Sequence, residues 1–494
     1  MSVMSAPRTS ARPSGPGVVE ERPMRNPDAS SRAVMTRRGW WLVGLNFLIP
    51  GSAQVLAGNR RLGRFGIGAT LVMWVLLVVA LLFALLAPTA GLSIVTSAWL
   101  PDFLGLLRPL PLLIAQALLI AYAVLWLVLT IDTLRLVRLV KTGGIARFAI
   151  ALVAVGLLVV ASGTAVIASN AVGTVRSTIS SIFGASGPTV PPDDGYYNVL
   201  LLGADSGEGR DSMRFDSISV VSVNAATGAT TITGIPRDMP NFPFAAGPMQ
   251  DAYPDGFQGH GDPSCGWGSG VNQLTNAVEQ CREDRGKGLY PDAEAQGSTP
   301  AIEATKDAAE GILGIKIPYY VFVDMHGFAS LVDALGGVDI NVVERLPKGG
   351  PPEGVDSHNV DAWATGWIEA GQQHMDGDTA QWYARSRYTT SDFDRMRRQR
   401  ELQEAILAQF TPDVVLTRFQ DVAAAGADIV QTDLPQSLIP TLVDLAVKAK
   451  EEPVQTIELT PAGGIDEYNP DWAYIAQLVQ TTLHPPTPTP APEG

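Results

Sequence analysis

Three stretches of the chain, 65 to 87, 109 to 131 and 148 to 170, run without a single charged residue. Each is long enough to cross a hydrocarbon core of ~30 Å as a helix, whose backbone polar groups are satisfied internally. A further apolar run, Trp40 to Gly58, is interrupted by Pro50 and Gly51, which break a simple helix. Basic residues flank it: Arg37 and Arg38 before, Arg60, Arg61 and Arg64 after. A third cluster, Arg135, Arg138, Lys141 and Arg147, lies in the loop between the last two stretches. Cationic loops stay in the cytosol. Reading residues 40 to 58 as a re-entrant or interfacial hairpin, with three spans at 65–87, 109–131 and 148–170, satisfies all three clusters and places everything after 170 outside the cell. Four spans require an outside N-terminus, and either count can leave the C-terminal part outside. Residues 1–39, rich in Pro, Ser and Arg, read as a disordered cytosolic tail, and 484–494 as a Pro-rich extended tail.

Beyond a Gly-, Ser- and Thr-containing linker at 171–196, the pattern changes. Asn198 to Gly203 is a continuous apolar run ended by glycine, and Asp216 to Val223 and Thr230 to Ile235 are β-branched with a period near two. These predict strands. A long irregular segment, Met239 to about Gly270, precedes helices at Asn272–Asp284 and Ile302–Leu313, a strand at Tyr319–Val323 and a helix at Phe328–Leu335. Gly336-Gly337 stops that helix before a strand at Val338–Val342. Helices are expected at Asp376–Ala384, Phe393–Phe410, Leu438–Ala449 and Pro470–Leu483, with an extended segment at Val454–Leu459. The alternation implies an α/β or mixed α+β domain over 197–483, a central β-sheet covered by helices, preceded by the bundle of transmembrane helices over 40–170.

Composition sharpens this division. The 494 residues carry a net charge of −14, but Lys+Arg outnumber Asp+Glu 16 to 5 before residue 190 and are outnumbered 19 to 44 from it onward. A basic apolar front and a strongly acidic back fit an anchor joined to a soluble domain. The acidic part excludes nucleic acid as a partner, since phosphate neutralisation needs positive surface. The two cysteines, Cys265 and Cys281, both fall in the external part. A disulfide between them would close a loop worth ~3 kcal/mol in the chain-entropy treatment, with a pair of unlinked thiols as the alternative. The five histidines are scattered without ligand spacing.

Candidate chemistry gathers at three places. Gly203 to Ser206 (GADS) follows an apolar strand and Asp216 begins the next, so Asp205 and Asp216 can converge on one point, as a hard divalent cation such as Mg²⁺ requires. Isolated loop aspartates are commonplace, however. Ile235-Pro236-Arg237-Asp238 closes a strand and leaves Arg237 at the sheet rim. The stretch Ala384 to Arg400, ARSRYTTSDFDRMRRQR, holds six arginines and no lysine in a strongly acidic domain. On a helix from Phe393, Arg395 and Gln399 share a face with Arg398, while Arg397 and Arg400 point elsewhere. Arg385 and Arg387, two apart, face one side of an extended segment. Guanidinium forks suit phosphate oxygens, which they bind bidentately.

Taken in order and spacing, NVLLLGADS with Asp216-Ser217 downstream, GIPRD, and AQWYARSR followed by SDFDRMRRQ resemble the extracytoplasmic LytR-CpsA-Psr domain over roughly Tyr197 to Phe410. The segment Phe322 to Val342 is similar to that family's central helix–strand unit. The resemblance implies a transferase that moves a glycan phosphate from a polyisoprenyl diphosphate-linked donor to a hydroxyl of peptidoglycan. By position, Asp205 and Asp216 would hold Mg²⁺ against the diphosphate, and Arg237, Arg385, Arg387, Arg395 and Arg398 would bind its oxygens. Asp392 and Gln399 match positions of the same site, Asp392 as acceptor base or arginine organiser. The family's lipid tail lies in an apolar groove between sheet and helices. The chain departs from the family at Gly207 and at Met239 to Phe242, where many members carry arginines. A polyprenyl diphosphate hydrolase and a noncatalytic wall- or lipid-binding scaffold stay open as alternatives. Fixed arginines and a metal can stabilise the charge that develops in phosphoryl transfer without a Ser, Cys or His nucleophile.

Overall fold

The computed structural model describes residues 24–101, 104, 107–183, 189–204, 214–260, 268–280, 288–352, 354–409, 430–449 and 453–485. The chain divides into two compact units, Met1–Ala87 with Leu110–Gly173, and Pro88–Pro109 with Thr174–Gly494. Its first helices are α1 (Arg32–Leu48), α2 (Ser52–Ala57), α3 (Arg60–Leu86), α4 (Pro88–Val95), α5 (Leu110–Val137) and α6 (Gly144–Phe183).

In the first unit, α3, α5 and α6 are, among the described residues, the helices long and apolar enough to cross a membrane, judged by length and composition. The interruption at Pro50-Gly51 separates α1 from α2, as the sequence implies. Gly51 takes a left-handed φ of +95°, and a Cβ there would stand 2.4 Å from the Gly63 carbonyl oxygen, so glycine is what lets α2 turn back tightly against α3. Gln54 of α2 is buried and donates to the Leu129 carbonyl and the Thr133 hydroxyl of α5 at 2.8 and 2.9 Å. Residues 32–39, expected in a disordered tail, instead form the first turns of α1. Ser31 caps them, and the buried Arg38 donates to the carbonyls of Met24 and Leu136, both at 2.7 Å. The helix α6 has 40 residues. At 1.5 Å per residue it runs ~60 Å, well beyond a bilayer core, so the start of the expected linker is helical.

The second unit is built on a six-stranded mixed sheet. Its strands and helices are β1 (Tyr196–Ala204), β2 (Phe215–Asn224), β3 (Thr230–Gly234), α7 (Pro248–Ala252), α8 (Pro300–Leu313), β4 (Tyr319–Asp324), α9 (Met325–Leu335), β5 (Val338–Val342), β6 (Leu346–Lys348), β7 (Gly366–Ile368), β8 (Gly371–Met375), α10 (Gly377–Arg385), α11 (Asp392–Gln409), β9 (Val430–Thr432), α12 (Ile439–Ala449), β10 (Gln455–Glu458) and α13 (Trp472–Leu483). The sheet order is β10-β3-β2-β1-β4-β9, with β1–β4 and β3–β10 parallel and the other pairs antiparallel.

Alternation along the strands assigns the two faces. Leu200 and Leu202 of β1, Ile218 and Val220 of β2, and Tyr320 and Phe322 of β4 enter the main core, packed by α8, α13 and the segment that begins at Met239. The intervening Val199, Leu201, Val221, Val321 and Val323 turn to the opposite face. There α9, α10 and α11 build a second core with the small strand pairs β5–β8 and β6–β7, centred on Val332, Ile340, Met375 and Tyr383. Local chemistry sets the helix ends. Thr299 caps α8 through the Ile302 N–H, Asp376 caps α10 through the Thr379 N–H at 2.8 Å, and Gly336 and Gly337, at φ of +94° and +91°, end α9.

Alternation of strands and helices would put Val338–Val342 in the central sheet, but it pairs with β8 instead. The expected helix at Asn272–Asp284 is, where described, a 3₁₀ turn at Val271–Gln273 and a π turn at Asn276–Gln280. The helix α4 packs against α12 within this unit, and the Gln436 side chain donates to the Thr96 carbonyl at 3.0 Å beside the buried Ser97.

Candidate functional site

The strand β2 begins opposite a register shift between Gly203 and Ala204, and Asp216, its second residue, keeps a third of its side chain exposed. The strand β3 ends at Gly234. Ile235 adds one more ladder bond to Ile218, and Pro236 then halts pairing and turns Arg237 over the sheet end. Two features of the long segment lock the Arg237 backbone in place. The Asn272 N–H donates to its carbonyl at 3.0 Å, and the Asn272 side chain donates to Asp238 at 3.1 Å. Sequence reading gave Asn272 no part in the site, and its position inside an expected helix offered no signal.

These elements bring Arg237 to Asp216, to which it is hydrogen-bonded and ion-paired, and to Asp238 at 3.3 Å. Its Nη2 lies 3.6 Å from Asp392 Oδ1, at the start of α11. Arg395, one turn on, is buried and meets the same Asp392 oxygen at 2.9 Å. Two arginines from distant parts of the chain thus share one carboxylate. Burial alone would lower the Arg237 pKa, but Asp392, Asp216 and Asp238 together raise it above the ordinary arginine value. The Arg395 pKa is lowered, first by burial and then by Arg237 and Arg387, against the opposing pull of Asp392 and Asp216. A guanidinium still stays charged.

The remaining candidates fall differently. Gln399 faces the cleft and donates to the Ala384 carbonyl at 3.3 Å. Arg385 belongs to the last turn of α10, not to an extended segment, and its guanidinium lies 5.2 Å from the Trp382 ring centre. Arg387 is exposed on the loop that follows, within electrostatic reach of Arg395. Arg398, expected among the phosphate ligands, is 1% exposed and spends its donors on the protein: Nε on the Tyr383 carbonyl at 3.0 Å, Nη2 on the Ser386 carbonyl, and both terminal nitrogens on the Thr390 hydroxyl at 3.2 Å. It braces the loop carrying Arg387, with four of its five N–H donors committed within the protein. Arg397 lies on the solvated side, paired with Glu401 at 2.8 Å.

Arg400, expected to point away, is the arginine that enters the cleft. It is buried, ion-paired with Glu458 of β10, and lines the same small cavity as Asp216, Arg237, Arg395 and Gln399. The helix starts at Asp392, and its face toward the sheet is the one that carries Arg395, Gln399 and Arg400, with Arg398 turned to the loop before it. Asp205, Cys265 and Cys281 lie outside the described residues. Among the described residues no three His, Cys, Asp or Glu side chains cluster as a metal cage.

Next to this charged cleft an apolar cavity of about 340 Å³ opens between the sheet and α9 and α11, lined by Leu201, Val321, Val323, Phe328, Leu402 and Ile406 among others. Ser217, Gln399 and Gln403 line both spaces. A polar cleft with paired arginines therefore lies beside a greasy slot, an arrangement suited to an amphiphile with an anionic head.

The profile of the LytR_cpsA_psr family matches residues 165–241 and 293–483. Biofilm regulatory protein A of Streptococcus mutans is 24% identical over 299 residues, 59% of this chain and 63% of that protein. The polyisoprenyl-teichoic acid–peptidoglycan teichoic acid transferase TagU of Bacillus cereus is 27% identical over 241 residues, 48% of this chain and 61% of that protein. The chain thus spans a little over three fifths of the length of these curated relatives. The crystal structure of B. subtilis TagV aligns over 58% of this chain and 95% of its own, at 20% identity and a TM-score of 0.39.

Proposed function

Because the chain belongs to the LytR_cpsA_psr family, whose profile covers more than half of it, we propose that it is a membrane-anchored transferase that attaches a glycopolymer to the cell wall. The donor is a polyisoprenyl diphosphate-linked glycan and the acceptor a hydroxyl of peptidoglycan. The observation that carries this reading is that the arginine cleft and the apolar cavity adjoin, sharing Ser217, Gln399 and Gln403 in their linings. The one matches a diphosphate and the other a prenyl chain.

In this reading the acceptor oxygen attacks the glycan-side phosphorus. A new P–O bond forms as the acceptor O–H bond breaks, the bond from that phosphorus to the bridging oxygen breaks, and polyisoprenyl monophosphate leaves with the bridging oxygen, the hydroxyl proton passing to that phosphate or to solvent. Arg237 and Arg395 bind nonbridging oxygens and counter the charge that accumulates on them. Arg387, exposed beside them, extends the positive field over the entrance, and Arg385 supports it from the end of α10. Asp392, between Arg237 and Arg395, holds the two guanidinium groups at the spacing they need, which favours the organising role over that of acceptor base. Mg²⁺ takes one or two protein carboxylates and completes its shell with waters and phosphate oxygens. Asp216, part-exposed at the cleft, suits that demand, and Asp205 directly follows Ala204, the register partner of Phe215. Bound there, the ion would neutralise diphosphate charge and release Arg237 from Asp216.

The packing of α4 on α12 supports placing the loop between the first two spans on the same side as the catalytic domain. With the cytosolic basic clusters, this supports an extracytoplasmic domain, and the cluster at Arg37 and Arg38 favours three spans. Full-length protein in nanodiscs, given Mg²⁺, a lipid-diphosphate-linked glycan and peptidoglycan fragments, should yield a phosphodiester-linked product detectable by mass spectrometry. Release of polyprenyl phosphate independent of acceptor would identify a hydrolase. Donor binding without turnover would identify a scaffold.

A further inference from the structure

Three buried polar atoms near the cleft lack a hydrogen-bonding partner among the described residues: Arg395 Nε, Arg400 Nη1 and Gln403 Oε1. The arrangement around Arg400 is the most informative. Its side chain leaves α11 beside Gln399 and lands on Gly234 and Glu458, which are register partners where β3 runs parallel to β10. Nη2 is ion-paired with Glu458 Oε1. A Cβ at Gly234 would stand 2.8 Å from Arg400 Nη1, so the absence of a side chain there is what admits the guanidinium. Three residues beyond Gly234 comes Arg237, and five before Arg400 comes Arg395. The ion pair therefore ties the helix that carries Arg395 to β10, while the same guanidinium rests on Gly234, the β3 partner of Glu458, three residues before Arg237.

We propose that Arg400, anchored by Glu458, is a positioning residue that sets the separation of Arg237 and Arg395 and thereby tunes the cleft to a diphosphate. This rests on the reading of the cleft as a diphosphate site. Arg400 is 4% exposed and held by Glu458, and in this proposal it acts through the two ligand arginines. A half-buried pair of this kind is weak evidence for net stability, and its proposed role here is to fix the placement that two guanidinium groups reaching for two phosphates require.

The test uses the full-length chain in nanodiscs with two probes, geranylgeranyl diphosphate and geranylgeraniol, which differ only in the head. The double variant Arg400→Met with Glu458→Gln removes one positive and one negative charge, leaving net charge and packing volume nearly unchanged. Diphosphate affinity is expected to fall at least tenfold while the alcohol binds as before and the melting temperature holds. Should the double variant melt early, Glu458→Gln alone keeps the acceptor oxygen, removes only the charge and is expected to show the same split. Unchanged diphosphate affinity in the variant that stays folded overturns the positioning role. A wild-type protein that shows no preference for the diphosphate over the alcohol overturns the diphosphate reading itself, and the role with it.

Discussion

Arg237 and Asp392 face each other across the cleft, Nη2 to Oδ1 at 3.6 Å, although one ends a strand and the other begins a helix far along the chain. Asp392 also holds Arg395, so its removal takes a shared carboxylate from both guanidinium groups at once, leaving Arg237 with Asp216 and Asp238. Asp392→Asn is expected to slow glycan transfer ~100-fold or more. The double variant with Arg237→Ala should lose little beyond the worse single one, because groups that act as a unit are not additive. Single-turnover rates of the four proteins of this cycle measure the coupling, and independent losses would mean that Asp392 works apart from Arg237.

Arg398 presents the opposite case, a buried arginine with a structural load. Arg398→Ala leaves the Tyr383 and Ser386 carbonyls without their donor and is expected to cost ~3 kcal/mol or more, by the penalty for unpaired buried polar groups. Arg397→Ala, on the solvated side, should stay within ~0.5 kcal/mol. Urea denaturation of the two variants separates them. A small loss for Arg398→Ala would mean that the loop before α11 is held by other contacts.

The apolar cavity permits a test independent of the charged cleft. Val323 of β4 points into it. Val323→Phe fills part of the slot, and β4 accepts an aromatic residue readily. Binding of geranylgeraniol should weaken severalfold with the melting temperature preserved, as read by calorimetry. Equal affinity would place the prenyl chain elsewhere.

Much of this was legible in the sequence because the signals were local. The β1 and β2 alternation, the Pro236 stop, the Gly336-Gly337 stop and the N-terminal residues of α10 all follow from a few neighbouring positions. The short strands β6 to β9 escaped notice because a segment such as Gly371–Met375, GQQHM, has neither β-branched residues nor a clear period. The exchange of Arg398 and Arg400 was hidden for another reason. A helical wheel tells which residues share a face, whereas the choice of face depends on Gly234 and Glu458, more than fifty positions away on either side. The same holds for Asn272, which meets the Arg237 carbonyl from a 3₁₀ turn 35 positions along the chain.

Asp307 adds a dependence on pH away from the site. Burial, with repulsion from Glu310 and Glu303, pushes its carboxyl up from 3.8 to about 6, against the lowering effect of the Tyr290 hydroxyl that it accepts. The folded state then holds a proton that the unfolded chain has released, so stability falls as pH rises from 3.8 to about 6 and levels off above. Asp307→Asn should flatten this part of the profile, as followed by melting temperature across the window. A variant with the wild-type slope would assign the dependence to another group.

The docking of α4 on α12 bears on how fragments of the protein can be prepared. A secreted version cut after Phe183 would discard Pro88–Pro109, and with it the partner of the 436–449 surface. Such a truncation amputates part of the fold that the cut is meant to preserve, and self-association in the resulting preparation would report the bared patch instead of any native oligomer. Grafting the 88–109 segment back, on a tether in place of the two helices that normally deliver it, would restore the intact folding unit.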